Sequence, residues 1–94
     1  MQSAAAPSGV SSFSFSFSTS QPSDVIISLG CGWYECDSVS LPAGCTQLFY
    51  HNGGDLYETT YAAECVDLPT GTYSVSGSLS GAGGYAIAAY EFPS

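Results

Sequence analysis

The 94-residue chain has no lysine and no arginine, and only one histidine, one tryptophan and one methionine. Without cations it cannot grip phosphate by releasing counterions, so nucleic acid is excluded as a partner, and an anionic membrane surface is disfavoured for the same reason. There is no lysine for a Schiff base, no arginine to clamp an anion, no G-x-S-x-G elbow and no glycine-rich phosphate loop. No run approaches transmembrane length. The start, MQSAAAPSGV, has neither the basic n-region nor the long apolar core of a secretory signal peptide.

What charge there is comes from eight Asp and Glu residues, giving a formal net charge of -8. No carboxylate can pair with a cation other than His51 or the N-terminus, so the acids must stay solvated, accept backbone hydrogen bonds or bind a metal. With few ion pairs to lose, the fold is expected to tolerate low pH. Calcium is the cation that such acids could serve. Glu35 with Asp37, and Asp55 with Glu58, are the closest candidates, but neither has the dense spacing of an EF-hand loop. The reading adopted is solvated acids, no metal and no cofactor. The same carboxylates are poor material for a glycosidase pair, because so small a domain has little room for a sugar cleft. His51 stands beside Asn52-Gly53-Gly54 and reads as a turn residue, not as the base of a Ser-His-Asp triad. No catalytic residue is assigned, and the chain is expected not to be an enzyme.

The cysteines, at 31, 36, 45 and 65, match neither a C-x-x-C pair nor a Cys/His zinc knuckle. They read as two disulfides. Three pairings exist; the one favoured joins Cys31 to Cys36 and Cys45 to Cys65, closing one short and one medium loop. Such staples suit a domain that hides only roughly 60–65% of its unfolded surface, and they place it outside the cell or on a particle surface.

Residues 1–10 are mostly Ala, Ser, Pro and Gly, and read as a low-complexity arm, unfolded unless a neighbour holds it. Residues 11–94 form one domain. It opens on SSFSFSFSTS, in which strand geometry sends Phe13, Phe15 and Phe17 to one face and Ser12, Ser14, Ser16 and Ser18 to the other. A turn at SQPS leads to the β-branched strand DVIISL, and then to GCGWYECDS, a loop pinned by Cys31 and Cys36. TQLFYHNGGDLYETTY reads as a hairpin turning at Asn-Gly. Pro69 and Gly71 mark a further turn, SGAGG at 80–84 another, and YAIAAYEF a last strand. No segment has a capped 3.6-residue period. The fold expected is all-β: a small, disulfide-stapled antiparallel β-sandwich, jelly-roll-like, of seven or eight short strands. Phe13, Phe15, Phe17, Phe49 and Phe92 are its core candidates.

FSFSTSQPSDVIISL, CTQLFYHNGGDLY and CVDLPTGTYSVSGSLSGAGGYAIAAYEF together resemble the bacterial pre-peptidase C-terminal domain over about residues 13–92. The likeness lies in a Phe-alternating strand, a β-branched strand, an Asn-Gly turn, a Leu-Pro-x-Gly-Thr-Tyr turn and a Gly-rich final hairpin. It implies a small β-sandwich serving secreted hydrolases as a non-catalytic module. The GCGWYECDS insertion is not part of that pattern.

Two functional classes follow. The first is a structural subunit on the outside of a larger particle or filament, such as a virion decoration protein or an extracellular fibre. It would dock to a protein partner or to copies of itself through the arm and the Phe13, Phe15 and Phe17 strand. A serine face is uncharged and costs little to desolvate, and a strand without lysine, inward charge or proline has no guard against pairing if it lies at an edge. The second class is a secreted module that binds polysaccharide or fibrous protein through Trp33 and Tyr34. Against that stands the reading of Trp33 as a lid over one end of the sandwich.

Overall fold

A computed structural model describes residues 1–53 and 58–93. Its elements are the strands β1 (Gln2–Thr19), β2 (Ser23–Gly32), β3 (Cys36–Ser40), β4 (Cys45–Asn52), β5 (Thr59–Leu68) and β6 (Gly71–Pro93). All pairing is antiparallel, in the order β1-β6-β2-β5-β4, with β3 also on β6.

β6 has 23 residues and would be about 76 Å long if straight, yet the molecule measures 40 × 21 × 18 Å. It must therefore bend, and its two halves have different neighbours. Gly71–Ser78 pairs with the second half of β1, Ser12–Thr19, and Ser76–Leu79 also meets β3. Gly84–Pro93 lies against β2, and Tyr85–Ala89 pairs on its other side with Gln2–Ala6. Two layers result, one built on β3, β6 and β1, the other on β1, β6, β2, β5 and β4. β1 and β6 run through both. The corner lies where the β1–β6 register shifts between Ala6 and Ser12. Gly9 adopts a positive φ of 83° there, a conformation open to glycine at no steric cost. Opposite it, the Pro7 backbone lies where a side chain on Gly84 would sit.

The core fills the space between the layers. Phe13, Phe15, Phe17, Val75 and Leu79 from one layer meet Val25, Ile27, Leu29, Tyr61, Ala63, Ile87 and Ala89 from the other. Alternation produces this arrangement, since every second residue of a strand points inward. The Cys31–Cys36 disulfide joins β2 to β3, and so one layer to the other, with a Cα separation of 5.8 Å; Cys45–Cys65 joins directly opposed residues of β4 and β5 at 4.0 Å. This is the favoured pairing.

The all-β sandwich is as expected, with six strands among the described residues, from five residues in β3 to 23 in β6, in place of seven or eight short ones. SGAGG at 80–84 does not turn the chain; it belongs to β6. Its glycines serve close approach, since the Gly32 carbonyl stands 2.6 Å from the position of a Cβ on Gly83. Nor is residues 1–10 a free arm: from Gln2 onward the segment is strand, held by β6 of its own chain. The Asn-Gly turn includes Gly54, which lies outside the described residues, as does Asp55.

Candidate functional site

The site is built on β1, whose pairing among the described residues is with β6 alone. The strand is therefore an edge of both layers. In an antiparallel ladder each residue directs its N–H and C=O together, alternately toward the neighbouring strand and away from it. Ser18 reveals the phase. Its backbone N–H donates to Oε1 of Gln2 at 2.9 Å, and its carbonyl accepts from Nε2 of Gln2 at 2.8 Å. Ser18 thus faces away from β6. The register is unbroken from Ser12 to Thr19, so the peptide groups of Ser12, Ser14 and Ser16 face the open edge as well. Gln2 and Ser18 belong to one strand and would stand about 50 Å apart were it straight; the doubling over of β1 brings them into contact.

The serine side chains line the solvent face of the same strand, while Phe13, Phe15 and Phe17 are buried behind it. The phenyl rings were expected to take part in docking. In the fold they are committed to the core, Phe17 stacked at 5.6 Å on Tyr73 and Phe13 at 5.3 Å from Tyr85. What β1 offers a partner is backbone and hydroxyl. Ser16 Oγ lies 3.3 Å from Ser74 Oγ, and Ser18 Oγ 3.2 Å from Thr72 Oγ1, so a hydroxyl ladder already runs across β1 and β6. No acid occurs before Asp24. This edge is uncharged on a chain that is otherwise strongly acidic.

A second surface surrounds the Cys31–Cys36 loop. Trp33 is 73% exposed and adopts a positive φ of 69°, a left-handed conformation that is an outlier for a bulky residue. It is directed into solvent and does not close the sandwich, so the lid reading is corrected. Tyr34 beside it is 42% exposed, its ring resting on Gly81, where a side chain would collide with it. The Glu35 carbonyl accepts from the Ser80 N–H at 2.9 Å, and Thr59 Oγ1 accepts from the Cys36 N–H at 2.8 Å. These bonds and the disulfide hold the loop at both ends.

Two core candidates are corrected too. Phe49 is 50% and Phe92 56% exposed. The β4–β5 register shifts between Gln47 and Phe49, and one extra residue in a strand reverses the facing of those beyond it. Phe92 shares the outward face with Tyr90 at the end of β6. His51 is exposed within β4, paired with Thr60, its ring 6.3 Å from that of Phe49. Among the described residues no three His, Cys, Asp or Glu side chains converge as a metal site would require. Asp24 and Glu91 instead accept hydrogen bonds, from the Asp67 N–H at 2.9 Å and the Ser23 hydroxyl at 2.7 Å. The residue that the sequence did not disclose is Gln2. It is the one carboxamide in the first 20 residues, but its role appears only once β1 is seen to double over.

No family model matches the chain, and no curated protein does. Among solved structures, a chain of the tripod from the baseplate of bacteriophage Tuc2009 is similar, with 16% identity and a TM-score of 0.48 over 92% of this chain. This chain spans 64% of the length of that one. A likeness at this level says nothing about what either chain binds.

Proposed function

We propose that this chain is a non-catalytic structural subunit of a larger extracellular or surface assembly, a virion decoration or a fibre, and that it docks by accepting a strand along the outer edge of β1. The observation that carries the reading is the open, uncharged run of peptide groups at Ser12, Ser14 and Ser16. Natural sheets blunt such edges with lysine, proline or inward charge, and none of these lies between Val10 and Thr19. Strand addition draws its affinity from main-chain hydrogen bonds, which the rigid β1–β6 pair presents ready formed. The two disulfides suit an oxidising exterior.

Hydrogen exchange tests this on the dilute chain. The amides of Ser12, Ser14 and Ser16 are expected to exchange fast and those of Phe13, Phe15 and Phe17 slowly. A peptide of residues 11–19 carrying a solubilising lysine tail should then slow the serine amides saturably. Serine amides already slow in the dilute chain, or untouched by millimolar peptide, would refute the reading.

The exposure of Trp33 favours a second reading: a secreted module resembling the pre-peptidase C-terminal domain, binding polysaccharide or fibrous protein through Trp33 and Tyr34. Exposed aromatic rings held on a stapled loop are suited to stacking on a sugar ring. Pull-downs on insoluble polysaccharides and collagen test it, with Trp33→Ala expected to abolish retention. Equal retention of the variant, or no retention of the parent chain, counts against it.

A further inference from the structure

We infer that the strand accepted at the β1 edge is β1 of a second copy of this chain, paired antiparallel about a two-fold axis through Ser14. The inference rests on the docking reading above and names its partner.

The open stretch has two ends. Toward the N-terminus it stops at the register shift between Val10 and Ser12. Toward the C-terminus it stops at Ser18, whose N–H and C=O are taken by the Gln2 carboxamide. Three outward-facing rungs remain, at Ser12, Ser14 and Ser16, and Ser14 is their centre. One antiparallel register uses all three on both copies: Ser12 opposite Ser16 of the second copy, Ser14 opposite Ser14, and Ser16 opposite Ser12. Each opposed pair exchanges two N–H···O bonds, six in all. A two-fold interface is self-complementary by construction, and this strand meets the requirement on both faces. Serine falls opposite serine outside, extending the ladder already seen between Ser16 and Ser74, and Phe15 falls near Phe13 inside.

Electrostatics favours the same edge. Two copies of a chain with net charge -8 repel wherever acids face each other. The two end strands β1 and β4 both lack an acid, but β4 has Glu64 of β5 directly beside it, opposite Thr46, whereas the β6 residues beside Ser12–Thr19 carry none. On this layer the nearest acidic strand is β3, where Asp37 pairs with Ser78, which in turn pairs with Ser12. In the dimer the two Asp37 residues stand five strand spacings apart, about 24 Å at about 4.8 Å each. That is three times the roughly 8 Å screening length at physiological salt. Dimerisation is therefore expected to strengthen as salt rises from very low concentration.

The test is the mass of the full chain by sedimentation equilibrium, from micromolar to millimolar, together with single-cysteine cross-linking. The mass is expected to double with concentration. Ser14→Pro should hold it at that of the monomer, because the lost N–H faces outward and is not part of the β1–β6 ladder; circular dichroism checks that the fold persists. Ser14→Lys, which places two ammonium groups at the axis, should do the same. Opposed Cα atoms in a hydrogen-bonded pair lie about 5.5 Å apart, within disulfide reach. Ser14→Cys should give a covalent dimer on oxidation. Ser12→Cys and Ser16→Cys should each fail alone and cross-link when mixed. A monomer at every concentration, a dimer indifferent to both Ser14 variants, or equal cross-linking from all three single positions would overturn the inference. A monomer whose serine amides still exchange fast and are still protected by the peptide overturns self-pairing and leaves the docking edge standing; slow serine amides in a monomer overturn both.

Discussion

Gly77 lies directly opposite Phe13 in the β1–β6 ladder, and the Phe13 ring lies over it. A Cβ added there would stand 2.7 Å from Cε1 and Cζ of Phe13 and 3.3 Å from the Asp37 carbonyl oxygen. Carbon atoms settle at about 3.5–4.0 Å, so Gly77→Ala requires the ring to retreat by about 1 Å. Phe13 is buried, with Tyr85 behind it at 5.3 Å, so the retreat is resisted. Overpacking of this kind costs about 1–3 kcal/mol. Replacing a mid-strand glycine recovers about 0.5–1 kcal/mol of backbone entropy, leaving a net loss of about 1–2 kcal/mol. On a domain of this size that lowers Tm by about 10 °C. Phe13→Leu on its own costs through the cavity it leaves, but it also removes the ring atoms that the new methyl would strike. The double variant is therefore expected to be more stable than the sum of the two single losses by about 1 kcal/mol, well outside the additivity of independent sites. The assay is thermal and guanidinium unfolding followed by far-ultraviolet circular dichroism, since exposed Trp33 is a weak reporter of the core. A Gly77→Ala variant as stable as the parent, or strict additivity in the double variant, would refute the account of Phe13 as the cover of Gly77.

Three further outcomes are expected. Thr59 is buried, accepting from the Cys36 N–H and donating to Asn52 Oδ1 at 2.6 Å; Thr59→Val leaves both partners unmatched and should cost about 1–3 kcal/mol, read as a lowered Tm, with an unchanged Tm contradicting it. Replacing Cys45 and Cys65 by alanine opens a loop of sequence separation 20 and should cost about 3 kcal/mol, against about 2 kcal/mol for the shorter Cys31–Cys36 loop on the chain-entropy account; the reverse order in denaturant titration would show that joining the layers matters more than loop length. Burial raises the Tyr61 hydroxyl above its ordinary pKa of 10.0. The unfolded chain therefore releases this proton first, so the stability Tyr61 contributes is complete below about pH 10 and is lost as pH climbs through the raised value. Tyr61→Phe should flatten the alkaline limb of a Tm–pH profile, and a profile of unchanged slope would disprove it.

The alternation of Phe13, Phe15 and Phe17 with serine was legible because a strand has a strict period of two and one face had to be buried. The cysteine pairing was legible because a short and a medium loop close easily. SGAGG was misread because glycine carries the same local signature whether the chain reverses or another backbone comes close; only the proximity of Gly32 and Pro7 distinguishes the two. Phe49 was misread because a register shift reverses facing without any mark in composition. Trp33 was assigned by size, and the left-handed backbone at its own position turns it outward. Pairing with distant strands decided the first two, and a local backbone conformation the third.

The same distinction explains why the candidate site was half visible. The lack of charge along β1 is a property of the sequence; its position at an edge is a property of the topology, since another order of the same strands would have buried it. Gln2 joins the two. Its carboxamide satisfies the Ser18 peptide group as an incoming strand would, and in doing so shows which peptide groups face outward and how far the open run extends. A chain with no cation has no lysine to place on its edge strand, and here a glutamine closes one rung and leaves three. On this fold the unguarded edge and the absence of positive charge are one fact, and the surface suited to assembly is an edge strand that carries neither sign of side-chain charge from Gln2 to Thr19.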